Sequence, residues 1–124
     1  MIIYGLSYIK NQFNCLEFSL TNEPNKVNCL KFNTEILSKT NIKKAIFCDN
    51  LSEVLQCNAA LVDYIIPSKN ILKKSVELAE LYLFDSKILT LIKSADDLES
   101  LAFSGVDCVL FMEFNQDLKD YYGV

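Results

Sequence analysis

Four short runs in the C-terminal two-thirds of the chain stay apolar on both faces: "KKAIFCDN", "VDYIIPS", "SKILTLIK" and "VDCVLFME". Strands covered on both sides read this way, because neither face meets water. The stretches between them carry helical spacing. Asn50 and Ser52 can cap a short helix through Asn58 that uses Leu51, Val54 and Leu55. Ser68 or Asn70 can open a longer helix to about Phe84, in which Ile71, Leu72, Ser75, Val76, Leu78, Ala79, Tyr82 and Leu83 form a wide stripe and Lys73, Lys74, Glu77 and Glu80 take the other side. Ser94 caps "ADDLESLAFSG", with Gly105 placed to end that helix. Nearer the N-terminus, residues 2–4 suit a first strand. Ile9, Phe13, Leu16 and Leu20 then recur at spacings of 4, 3 and 4, which predicts a helix over residues 7–20. "TNEPN" breaks it, "KVNCLKF" forms the next strand, and Thr34 caps a brief helix to Lys39. A rival reading folds "NCLEFSL" and "KVNCLKF" into a hairpin about Pro24.

Strands and helices that alternate with short connections imply right-handed βαβ crossovers. The expected fold is α/β: a doubly wound, Rossmann-like parallel sheet of six strands in the order 3-2-1-4-5-6, with helices on both faces. Ligands of such sheets sit at the carboxyl ends of the strands where the winding reverses. Here that crevice is expected between the first and fourth strands, lined by residues 5–7 and 67–70. Neither a linker nor an internal repeat interrupts the 124 residues, a length that suits one domain.

Composition narrows the function. With 51% hydrophobic and 23% charged residues the chain can bury a core, and a net charge of −4 gives no electrostatic footprint for nucleic acid or anionic lipid. Cys15, Cys29, Cys48, Cys57 and Cys108 form no C-x-x-C, and the chain has no histidine, so no zinc site is expected. Five thiols without a secretory leader fit a reducing compartment. No apolar run approaches the ~20 residues that span a bilayer, so direct membrane insertion is not expected. Without histidine, and without a nucleophile beside an orienting base, the chain does not read as an enzyme.

The succession from "CDN" through "VDYIIPS", "NILKKSVELAELYLF" and "KILTLIKS" to "ADDLESLAFSGVDCVLFMEF" resembles the TrkA-N or RCK domain, the regulator of potassium conductance. The likeness covers about residues 43–114; the N-terminal third agrees in element order and spacing only. It implies a Rossmann-like domain over residues 1–114 and, in residues 115–124, a tail or the start of a crossover helix. It also implies a cytoplasmic gating module of a potassium channel or uptake system, working with a pore-forming membrane subunit and assembling as a homodimer or larger ring. The family pairs through the helices after its fourth and fifth strands, where Leu81, Phe84 and Phe103 fall beside the core stripes.

Family members hold an adenine or nicotinamide nucleotide on a G-x-G-x-x-G loop after the first strand. The matching stretch "GLSYIK" keeps Gly5, but Ser7 stands at the second glycine and Lys10 at the third, so the phosphate grip is degenerate. Asn33 falls where an acid holds the ribose, and Asp49 on the aspartate of the family's G-D-x-T motif. Ser68 follows the fourth strand beside Lys69. Gly5, Ser7, Asn33, Asp49 and Ser68 are therefore the candidate cofactor-binding residues, with the cofactor's identity open and no metal expected. Gly5, Ser7, Asp49 and Ser68 also have plain structural roles as a turn or cap. The alternative function is a free-standing nucleotide-binding Rossmann protein acting as sensor or small oxidoreductase.

Overall fold

A computed structural model describes residues 1–6, 8–9, 17–19 and 24–111. The strands are β1 (Ile2–Tyr4), β2 (Phe18–Ser19), β3 (Val27–Lys31), β4 (Lys44–Cys48), β5 (Tyr64–Pro67), β6 (Lys87–Ile92) and β7 (Cys108–Phe111). The helices are α1 (Thr34–Ser38), α2 (Leu51–Ala59), α3 (Leu72–Tyr82, entered through a tight turn at Lys69–Ile71) and α4 (Asp97–Leu101). All seven strands are parallel and lie in the order β1-β7-β6-β5-β4-β3-β2. Among the described residues, no helix is long and apolar enough to cross a membrane.

The α/β class stands, but among the described residues the sheet has seven strands rather than six, and the order 3-2-1-4-5-6 is replaced by a sequential one. From β2 to β7 each strand pairs with the next in the chain, and β1 returns beside β7. When parallel crossovers all advance in one direction, their helices fall on one face. The packing bears this out. One buried cluster takes Tyr4, Phe18, Val27, Cys29, Ala45, Tyr64, Ile66, Leu89, Leu91, Cys108 and Leu110, drawn from strands alone. The other joins the opposite strand faces (Ile46, Cys48, Ile65, Ile88, Val109) to Val54 and Cys57 of α2, Val76 of α3, and Leu98 and Leu101 of α4.

Among the described residues the helices pack on one face of the sheet, and the sheet curls so that strand side chains bury the other. The hydrogen-bonded ladder runs open from β1 to β2, yet Tyr4 at one edge and Phe18 at the other bring their rings to 5.2 Å. The interior thus fills with strand side chains, as in a small parallel barrel. The crevice between the first strand and "VDYIIPS" has no counterpart, since β1 neighbours β7 and β5 lies between β4 and β6.

Local corrections follow the same physics. The expected 7–20 helix cannot include Phe18, which is a buried strand residue; Ser7 and most of that segment lie outside the described residues. No hairpin forms about Pro24, for β2 and β3 run parallel, Phe18 opposite Val27. Asn33 rather than Thr34 caps α1, its Oδ1 accepting from the Glu35 amide at 2.8 Å. Helix α4 spans only Asp97–Leu101, and Ser94 Oγ accepts from the Asp96 amide just ahead of it.

Two aspartates pin the strand starts. The Asp63 carboxylate accepts from the Lys44 amide at 2.9 Å, and its carbonyl accepts from Lys87. Asp107 does the same one strand pair on, accepting from the Ile88 amide at 2.7 Å and, through its carbonyl, from Ile2. Each aspartate follows a buried valine, Val62 or Val106, and each ties together the strands flanking its own. The repeated "VD" is thus a structural repeat, although the chain reads as free of repeats.

Candidate functional site

The strands' carboxyl edge gathers four of the five sequence candidates. Gly5 follows β1, Asn33 lies two residues past β3, Asp49 follows β4 and Ser68 follows β5. The last two segments are neighbours, the Ser68 amide donating to the Cys48 carbonyl at 2.9 Å. Ser7 lies outside the described residues.

Local structure claims most of this edge. Gly5 has φ of +92°, and a Cβ there would sit 2.9 Å from the Phe111 carbonyl oxygen, so a backbone turn packed on β7 requires the glycine. Asn33 spends its side-chain oxygen on the α1 cap. At the start of α2, Asn50 Oδ1 accepts from the Glu53 amide at 2.9 Å while Glu53 Oε1 accepts from the Asp49 amide at 2.8 Å, a reciprocal capping box. The Asp49 side chain itself is exposed. Ser68 Oγ donates to Asn70 Oδ1 at 2.6 Å, closing the turn before α3.

The interior holds chemistry that sequence reasoning missed. Tyr4 and Tyr64 join hydroxyls at 2.8 Å, and their rings meet each other and Phe18 edge-on at 5.2–6.0 Å. Burial pushes both phenols above their ordinary range, so two neutral hydroxyls satisfy each other inside an apolar cluster. The inward thiols behave likewise, burial pushing Cys29 and Cys108 up to about 12 from 9.0. A group whose folded pKa is raised binds its proton more tightly when folded. Its stabilisation is therefore complete below the unfolded value near 9 and drains away as pH climbs towards 12. Urea unfolding should show stability falling above pH 9, by about 1.4 kcal/mol per pH unit for each thiol. Cys29→Ala/Cys108→Ala should flatten that fall; an unchanged slope would rule out these thiols as its source.

Two adjoining grooves, about 250 and 560 Å³, open at the opposite, amino edge and share Lys43, Leu61 and Asp63. Their charge is mixed. Lys39, Lys43 and Lys87 face them together with Asp63 and Asp85. Lys44 is buried, and its ammonium donates to the Ile36 and Leu37 carbonyls at 3.0 and 3.4 Å, closing the end of α1. This edge therefore anchors helix ends and strand starts and offers no single-sign field to a charged ligand.

The helix layer exposes what the interior does not. Leu81, Tyr82 and Leu83 at the end of α3 are 71, 64 and 83% exposed, and Phe103 beyond α4 is 95% exposed. Phe84, expected beside them on the pairing surface, packs instead against the outer core. Leu61 and Leu83 adopt left-handed backbone, φ of 59° and 50°, at helix ends where glycine is usual. No protein-family model matches the chain, and a search among curated proteins finds no match.

Proposed function

We propose that this chain is a non-catalytic, self-associating α/β domain whose outer helices dock on a second copy. The exposed apolar group at the end of α3 and beyond α4 carries this reading. Large side chains on helices that already cover a sheet favour a partner surface. Leu83 sharpens the argument, because its left-handed backbone closes α3 where glycine would carry less strain, while its side chain stands 83% exposed. The carboxyl-edge residues support a nucleotide site less well, since Gly5, Asn33 and Ser68 are bound up in turns and caps. A narrower version, a gating module for a potassium channel or uptake system, draws support from the resemblance of residues 43–114. The strand order counts against it, for that resemblance implies a doubly wound sheet.

Leu83→Gly separates surface from fold. Relieving the left-handed leucine should raise folding stability by about 1 kcal/mol, while light scattering across a range of concentrations should show weaker self-association. A wild-type chain that stays monomeric at high concentration contradicts the proposal.

A further inference from the structure

Among the thiols of the described residues, Cys48 and Cys57 stand together, their sulfurs 3.5 Å apart. Cys48 closes β4 and Cys57 lies in the second turn of α2, so the pair spans the contact between a strand and the helix that follows it. Both are completely buried in the outer core beside Val54. Cys29 and Cys108, in contrast, face the interior from strands that are not neighbours. We propose that Cys48 and Cys57 are an oxidation site, which a peroxide converts into an internal disulfide tying α2 to the end of β4.

The sulfurs must close from 3.5 Å to about 2.0 Å, a movement within reach of side-chain rotation and a small helix shift. With hydrogen peroxide as oxidant the steps balance. One thiol gives up its proton, and its sulfur attacks a peroxide oxygen. The O–O bond breaks, one water leaves, and the sulfur becomes a sulfenic acid. The second thiol then gives up its proton and attacks that sulfur. The S–O bond breaks, the S–S bond forms, and a second water leaves. Two thiols have lost two electrons and two hydrogens, and one peroxide has become two waters.

Burial also sets the pace. Contact with the Cys57 thiol and then desolvation push the Cys48 thiol up, so its thiolate forms when α2 opens locally. Oxidation should accordingly be slow at neutral pH and faster in mild alkali. The bond would hold the capping box of Asn50 and Glu53 against β4 and close a short loop, raising the thermal midpoint by several degrees.

The test treats the full chain with hydrogen peroxide in native buffer, alkylates remaining thiols and digests with trypsin. Both cysteines fall between Lys44 and Lys69, in one tryptic peptide. The expected product is that peptide, unalkylated and lighter by two hydrogens, with three of the five cysteines still alkylated and full recovery after dithiothreitol. A Cys15→Ser/Cys29→Ser/Cys108→Ser chain should give the same product, and Cys57→Ser should not. A peptide of unchanged mass, a bond from either sulfur to another cysteine, or a product formed only in urea overturns the proposal.

Discussion

Tyr4→Ala is expected to cost about 3–5 kcal/mol of folding stability, the range for emptying a large aromatic site. The ring belongs to β1, yet its partners are Phe18 of β2 and Tyr64 of β5, so its removal opens the interior where the two sheet edges approach. Hydroxyl and ring effects can be separated. Tyr4→Phe keeps the packing but strands the Tyr64 hydroxyl in an apolar cluster, costing about 1–3 kcal/mol. Tyr4→Phe/Tyr64→Phe removes both partners and should cost less than the two single changes added together. Urea denaturation followed by circular dichroism measures all four chains. A loss below about 1 kcal/mol for Tyr4→Ala would mean that the ring is not buried among these partners.

Gly5→Val should cost about 2–5 kcal/mol without any ligand present. A β-branched residue strongly resists a φ of +92°, and its Cβ would press on the Phe111 carbonyl oxygen from 2.9 Å. Were Gly5 retained chiefly for a phosphate, the bare chain would tolerate valine and the loss would surface only in ligand binding. Thermal and urea unfolding of the ligand-free variant decide between these outcomes. Wild-type stability in Gly5→Val would reverse the assignment of Gly5 to packing.

Much of the element order was legible because it rests on local signals. The apolar runs became β4 to β7, and Asn50 caps α2 as its position before Leu51 suggested. Strand order was not legible, for a strand apolar on both faces suits a sheet between two helix layers equally well as a curled one lined by its own side chains. The aromatic inward residues held the missing signal. Tyr4, Phe18 and Tyr64 meet in the interior, and Phe18 lies off the Ile9, Phe13, Leu16 and Leu20 stripe that suggested a helix. The candidate site divides in the same way. Residues that follow strands were placed correctly on one edge, because chain order fixes that. Their chemistry depends on partners such as Phe111, Glu35 and Asn70, which chain order does not reveal.

The curl itself is the claim on which the rest stands, and nuclear Overhauser contacts in a ¹³C,¹⁵N-labelled chain test it most directly. A sheet wound as described places Ile3 opposite Val109 and the Tyr4 ring against both Phe18 and Tyr64. Backbone contacts from Ile3 to Val109, together with those ring contacts, are the expected result. Backbone contacts from β1 to β3 and β5 on either side would instead restore the doubly wound order and contradict the account.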